Sequence, residues 1–395
     1  MAPRKIIHLD LDAFFCAVEE LRQPDLAGKP FAVGGQPNER GVVASCSYAA
    51  RQSGVHSAMP MAQAVRVCPG LIIVSSQYSA YQHASERVME ILQDLTPRIE
   101  QISIDEAFLD VSDLPESHTD IARALQGRIA SDLQLPCSLG LASNKLVAKI
   151  ATDVGKANHR QASYPRAITY VAPGTEAEFL APLAARMLWG VGPKTAERLA
   201  GLGAQTIGDI VALGQDTLVR QFGRPGGDLW RHAQGLDERP VESDHVLKSI
   251  SQETTFERDR RDEKQLLEVL QELSEQVGYR LRQQQLVAGT VRIKLRWSDF
   301  STFTRQMTLP TPTDQDGVLA DCAFHLFYQL WQPGRAVRLL GVGASNLGSR
   351  VHQLSLWDTP VDKERKLLQA IDELRERYGK KVVQRGRGIK PQSSA

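Results

Sequence analysis

The feature that most constrains how this 395-residue chain can fold is a strand-free interval. Between Glu176 and Gly235 the segments are helical and no convincing strand appears, while strand-like and helical periods alternate on both sides. Before the interval, Lys5–Asp10 predicts a buried strand and Ala13–Leu21 a helix. Phe31–Val33, Val42–Ser45 and Leu71–Val74 predict short strands, and Tyr48–Val67 is helical in parts, broken by Gly54 and Pro60. Tyr78–Leu95 has helical periodicity ended by Pro97. Ile99–Val111 alternates as a strand pair with Asp105 and Glu106 in the turn. Ile121–Leu133 and Asn144–Asp153 predict helices around a strand at Cys137–Leu141. This alternation implies one sheet covered by helices.

After a polar linker at Arg239–His245 the pattern becomes β-α-β-β-α-β. Its elements are Lys248–Phe256, Glu263–Gln284, Val287–Trp297, Phe303–Leu309, Asp316–Leu330 and Val337–Leu347. That order is the split βαβ arrangement of an independent small domain. A segment containing Gln353–Trp357, an amphipathic charged helix at Lys363–Tyr378 and a basic tail follow. The expected class is therefore α+β and multidomain, and the length suits two to four domains.

Apolar residues at 42% and charged residues at 24% describe a globular protein, and no apolar run approaches a membrane span. The opening residues are too charged for a secretory signal. Cys16, Cys46, Cys68, Cys137 and Cys322 are scattered and never spaced as CxxC, which disfavours disulfides and zinc and suits a cytoplasmic protein. A net charge of +1 does not exclude nucleic acid, because local charge on one face decides that.

The chemistry gathers where apolar strands end. Asp10 and Asp12 close the first strand on one face, with Leu11 opposite, and Asp105 and Glu106 stand between apolar flanks. Asp10, Asp105 and Glu106 together would suit two divalent cations in phosphoryl transfer, one ionising an attacking hydroxyl and the other neutralising pyrophosphate. Taken singly, a DE pair is ordinary turn chemistry and DxD an ordinary strand end. In Trp189–Thr195, Gly190 and Gly192 permit a tight turn ahead of helical Ala196–Leu202, the form of a helix-hairpin-helix that offers backbone N–H groups and Lys194 to a phosphate. Arg292, Lys294 and Arg296 share one strand face, where three like charges favour a polyanion partner.

Three stretches, Ile7–Glu19, Ala44–Arg51 and Ser103–Asp110, resemble the Y-family translesion DNA polymerases. The resemblance continues through Asn144–Ala151, Trp189–Thr195 and Lys248–Ile250, and covers about residues 5 to 350. It implies a right-hand polymerase, with a palm at 1–13 and 78–172, fingers at 14–77, a helical thumb at 173–238, a linker at 239–246 and a βαββαβ little finger at 247–350. Residues 351–395 would form a clamp-binding segment and tail. The resemblance also implies two Mg2+ ions held by Asp10, Asp105, Glu106 and the backbone carbonyl of Leu11, with Asp12 no principal ligand. Phe15 would be the steric gate that rejects a 2′-hydroxyl, with Phe14 beside it. Tyr48, Arg51 and Lys156 would clamp the triphosphate, with Ser45 supporting them. Val42, Ala44 and Ala58 would form a small roof over the nascent base pair.

Two departures from the family pattern are Lys156-Ala-Asn-His159, where Lys-Pro-Asn-Gly is common, and Ser47, where Asn is common. Gln353, Leu354, Leu356 and Trp357 resemble a bacterial clamp-binding motif, although residues 358–395 still follow it. The implied partners are primer–template DNA, deoxynucleoside triphosphates and a sliding clamp, with the chain itself a monomer that has no membrane partner. A catalytically silent repair scaffold and a two-metal nuclease are the alternatives. Three clustered carboxylates disfavour the scaffold, and the nucleotide pocket of Phe15, Tyr48 and Arg51 disfavours the nuclease.

Overall fold

The computed structural model describes residues 3–159, 163–243, 246–349, 360–379 and 382–383, with side chains in the last helix described from Leu367 onward. The chain forms two compact units, Met1–His245 and Val246–Ala395.

The first unit begins with β1 (Ile6–Leu11), α1 (Phe14–Arg22), β2 (Phe31–Gly34), β3 (Val43–Cys46), α2 (Tyr48–Gln52), α3 (Met61–Val67), β4 (Ile72–Val74) and α4 (Tyr78–Leu95). It continues through β5 (Ile99–Gln101), β6 (Glu106–Asp110), α5 (His118–Leu133), β7 (Cys137–Ala142), α6 (Lys145–Asn158) and β8 (Ile168–Tyr170). The larger sheet has the order β5-β6-β1-β7-β8, with β1 antiparallel to both of its neighbours. A central strand is covered on both faces, and β1 is buried along almost its whole length. Ile7, Leu9 and Leu11 join the core beneath α4 and α5, whereas Ile6 packs with Leu146, Val147 and Ile150 of α6. Period-two alternation therefore sends residues 6, 8 and 10 towards α6. A smaller sheet, β3-β2-β4, has its own core around Ala32, Val43 and Met61.

Then come α7 (Glu176–Leu180), α8 (Pro193–Gly201), α9 (Ile207–Ala212), α10 (Gln215–Phe222) and α11 (Arg224–Ala233), packed on Leu180, Leu199, Ile207 and Leu218. Among the described residues this interval holds no named strand. A capping box formed by Thr206 and Asp209 fixes the start of α9.

The second unit comprises β9 (Ser249–Arg260), α12 (Glu263–Gln283), β10 (Leu286–Trp297), β11 (Thr302–Thr313), α13 (Asp316–Tyr328), β12 (Val337–Ser349) and α14 (Pro360–Tyr378). The β-α-β-β-α-β order holds, as an antiparallel sheet β11-β10-β12-β9. Leu266, Leu270 and Val277 of α12 share its core with Val291, Ile293 and Leu295 of β10. The charged helix expected at Lys363–Tyr378 is α14. It docks through buried Leu368, through Arg282 donating to Asp372 at 2.6 Å, and through Arg375 donating to Glu275 at 3.1 Å. The α+β, multidomain class is what is found, and no described helix is long and apolar enough to cross a membrane.

Several expected boundaries move for local reasons. Ser117 caps α5, so that helix starts at His118 and not at Ile121. Asn144 caps α6 and lies outside it, and α6 runs on to Asn158, because Ala157 takes the place where the family often has a helix-breaking proline. Glu106 is the first residue of β6 and not part of the turn. Strand β8 escaped the sequence reading. It is three residues long and only half-buried, and it is held by parallel pairing with β7.

Candidate active site

Because residues 6, 8 and 10 face α6, the carboxylate of Asp10 meets that helix. Its partner is Lys156 on the last turn of α6, whose Nζ also lies 3.3 Å from Asp12 Oδ1. Glu106 is the residue directly across from Asp10 in the β1–β6 ladder, and Lys149, two turns earlier on α6, donates to Glu106 Oε2 at 2.7 Å. The backbone N–H of Leu11 donates to the carbonyl of Asp105 at 3.0 Å, which ties the third carboxylate to the same strand end. Asp105 itself accepts from Ser103 Oγ at 2.6 Å. Asp12 is fully buried and accepts from Ser138 Oγ at 2.8 Å and from the Arg166 N–H at 2.9 Å, which sets it apart from the half-buried Asp10, Asp105 and Glu106.

These charges act on one another. Burial pushes the Asp10 carboxyl up to about 7 against the pull of Lys156, and neighbouring Glu106 and Asp105 add to the rise. The His8 ring and then Lys149 hold Glu106 down to about 2, against the effect of burial. Burial opposes the charge on Lys156, but Asp10 and Asp12 outweigh it and hold that ammonium above its usual range. Fully buried His8 is pushed down to about 4 by desolvation. Its Nδ1 pairs with Thr152 Oγ1 at 2.9 Å, while Nε2 lies 3.6 Å from Glu106 Oε2.

The donor set fits a hard divalent cation, with carboxylate oxygens at Asp10, Asp105 and Glu106 and a backbone carbonyl at Leu11, whose side chain is buried in the core. As they stand, no three acidic, histidine or cysteine side chains among the described residues are gathered closely enough to hold an ion. Lys149 and Lys156 pair with Glu106 and Asp10 instead.

An open cleft of about 580 Å³ lies beside these acids. Asp10, Leu11, Phe14, Phe15, Ser45, Tyr48, Arg51, Asp105 and Lys156 all line it, whereas Glu106 does not and lies beside Asp10 in the sheet. Ser47 explains how Tyr48 and Arg51 are placed. Its hydroxyl caps α2 by accepting from Ala50 N at 3.2 Å, accepts from Phe31 N at 3.1 Å and donates to the Lys29 carbonyl at 2.9 Å. The serine thus fills the capping role open to asparagine. The Arg51 guanidinium lies 5.1 Å from the Tyr48 ring centroid, and burial holds the Tyr48 phenol protonated, pushed up to about 12.

Sequence reasoning missed His8, Lys149, Tyr81 and Asp153. Lys149 and His8 reach Glu106, Tyr81 stacks on Phe15, and Asp153 lines the cleft. Only the i, i+4 and i, i+7 spacing of Lys149, Asp153 and Lys156 on one helix face could have signalled part of this.

Outside the cleft, Gly190 takes the left-handed conformation at φ 95°, but Gly192 does not; it caps α8 at φ −79°. Only Gly190 is needed for the turn, and Lys194 lies exposed in the first turn of α8. In the second unit Arg292, Lys294 and Arg296 alternate with buried Ile293 and Leu295. The expected mutual repulsion is partly relieved. Lys294 reaches across Gly341 to Glu253 at 2.8 Å, and Arg296 donates to Thr302 Oγ1 at 2.8 Å. Gln353, Leu354, Leu356 and Trp357 lie outside the described residues.

Acidic strand ends beside a cleft lined by aromatic rings, Arg51 and Lys156 are consistent with a nucleotidyltransferase. Two models of the impB/mucB/samB family match the chain, the family model over residues 9–153 and its C-terminal domain over residues 247–356. DNA polymerase IV of Desulfatibacillum aliphaticivorans is 40% identical over 391 residues, covering 97% of this chain and 96% of that one. DNA polymerase IV of Bacillus anthracis is 37% identical over 398 residues, covering 98% and 94%. Among solved structures, a Y-family DNA polymerase chimera of Dbh and Dpo4 has a TM-score of 0.77 at 27% identity, covering 87% of this chain and 99% of its own. An insertion ternary complex of Dbh DNA polymerase has a TM-score of 0.63 at 26% identity, with coverage of 87% and 99%. The chain belongs to the impB/mucB/samB family, the Y-family of translesion DNA polymerases. It is a DNA-directed DNA polymerase, and its family depends on divalent metal.

Proposed function

We propose that the cleft extends a primer on a damaged or distorted DNA template, and that Asp10, Asp105 and Glu106 are its metal-binding carboxylates. The observation that carries this reading is their convergence at the ends of β1 and β6, beside a cleft that also holds Phe15, Tyr48, Arg51 and Lys156. Two Mg2+ ions, when bound, would supply the Lewis acidity that ionises the primer hydroxyl and balances the leaving pyrophosphate. Arg51 and the protonated Tyr48 phenol face the triphosphate as donors, the arginine with a fork that suits two phosphate oxygens. Lys156 releases Asp10 and turns to phosphate, so one ammonium serves both states. Leu11 contributes its backbone carbonyl, Ser45 supports the phosphates, and Phe14 and Phe15 floor the sugar, with Phe15 excluding a 2′-hydroxyl. Val42 and Ala44 are exposed and small, a roof that gives little shape discrimination over the base pair.

Gly190, Gly192 and Lys194 hold the template–primer backbone, as do Arg292, Lys294 and Arg296, without reading its sequence. Gln353, Leu354, Leu356 and Trp357 dock a sliding clamp. The protein acts as a monomer in the cytoplasm, where its five free, buried cysteines stay reduced. The test is incubation with primed template, Mg2+ and single deoxynucleotides. Stepwise extension supports the reading, degradation points to a nuclease, and neither outcome points to a silent scaffold.

A further inference from the structure

Glu19 is a fully buried acidic side chain that nothing in the proposed reaction uses. It lies one turn after Phe15 on α1, so the two side chains share a face of that helix. Tyr81 of α4, itself fully buried, spans them. Its ring stacks on Phe15 with centroids 4.2 Å apart and planes 14° from parallel. Its hydroxyl donates to Glu19 Oε1 at 2.7 Å. Arg22, half in solvent, donates from Nη1 to both Glu19 oxygens at 3.1 Å and balances the charge. Helix α1 thus grips Tyr81 at both ends, by the ring through Phe15 and by the hydroxyl through Glu19.

Burying a carboxylate is costly, and an aliphatic side chain would fill the same volume. What the carboxylate adds is a fixed acceptor for one buried hydroxyl. An apolar wall by itself rejects an added hydroxyl only weakly, because it can yield, so the strictness of a sugar gate depends on how firmly its ring is backed. Phe15 faces the open cleft, and the ring behind it is that of Tyr81. We propose that Glu19 is a positioning residue for sugar selection: it fixes Tyr81, and Tyr81 fixes the plane of Phe15. This rests on the reading of Phe15 as the steric gate.

The test uses the full-length chain and compares Glu19→Leu, Glu19→Gln, Tyr81→Phe and Phe15→Ala. For each variant, kcat/KM is measured for one deoxynucleotide and the matching ribonucleotide on the same primed template, together with the melting temperature. The ratio is internal to each preparation, so a smaller active fraction cancels. Glu19→Leu and Tyr81→Phe sever the same bond, and each should lower discrimination by about tenfold, the factor that corresponds to one net hydrogen bond. Glu19→Gln keeps an acceptor and should retain most of the discrimination. A Glu19→Leu protein that melts earlier but discriminates like the wild type shows a merely structural role and overturns the proposal. If Glu19→Leu does not fold, Tyr81→Phe, which differs by one oxygen, decides in the same way. Lost discrimination in Phe15→Ala, with the other variants unchanged, overturns only the role of Glu19. Unchanged discrimination in Phe15→Ala overturns the gate reading itself.

Discussion

Adding one methyl group at Gly140 should disable the site without touching any residue in it. Strand β7 passes α6 so closely there that a Cβ would lie 1.9 Å from the Ala148 carbonyl oxygen and 2.6 Å from both the N and Oγ1 of Thr152. Ordinary carbon–oxygen contacts begin at about 3.3 Å, so strand and helix must part by roughly 1.4 Å. The obstacle is helix backbone, which cannot swing aside as a side chain would. Helix α6 carries Lys149 and Lys156, the partners of Glu106 and Asp10. A misplacement of about 1 Å can cost on the order of 100-fold in rate, and Gly140→Ala should lose about that much in kcat/KM. Overpacking should also cost about 1–3 kcal/mol, which in a unit of this size lowers the melting midpoint by roughly 2–12 °C. The assay is single-nucleotide insertion alongside thermal melting. The control is Gly127→Ala on α5, where an added Cβ meets nothing within 4 Å and helix propensity should gain about 0.5–1 kcal/mol. Wild-type melting and insertion by Gly140→Ala would refute the close packing of β7 on α6 as the cause.

Asp105→Ala and Glu106→Ala should each abolish primer extension while leaving primer–template affinity nearly intact, since ligands of the reacting metals act on the transition state and most affinity comes from phosphate contacts; near-normal extension by either variant would misplace the metal site. His118 sits against the Ile6 carbonyl at 3.1 Å and is pushed down to about 4 by burial, so it contributes stability that is complete above about 6.5 and lost as pH falls towards 4. Asp10, raised to about 7, works in the opposite sense but is common to both proteins, so urea melts at pH 7 and pH 5 should show a smaller loss for His118→Gln than for wild type; equal losses contradict the assignment. Replacing Leu356 and Trp357 by alanine should leave extension without clamp unchanged and remove the increase in product length on adding clamp, because tethering raises the local concentration of primer ends. A full clamp response in that double variant would move the contact elsewhere, with α14 the next candidate.

Local order is largely legible in the amino-acid sequence. The limits of α4 at Tyr78 and Leu95 follow from apolar spacing and Pro97, and the β-α-β-β-α-β order of the second unit follows from where period two gives way to period 3.6. Backbone geometry sets both periods within a few residues, so the sequence alone determines them. It also carries the residues that line the cleft, because Asp10, Phe15, Tyr48 and Arg51 sit in short motifs that can be recognised. What only the tertiary structure decides is which groups meet across the sheet. Lys156 and Asp10 are 146 positions apart and Lys149 and Glu106 are 43 apart. Both pairings depend on β1 lying between β6 and β7 with residues 6, 8 and 10 turned towards α6. The same holds for Gly140, an ordinary glycine in sequence whose missing side chain lets α6 approach. It holds as well for Glu19, which meets the Tyr81 hydroxyl only because α4 packs against α1. Strand order, register and close approach arise from the simultaneous packing of distant segments, and no window of neighbouring residues contains that information.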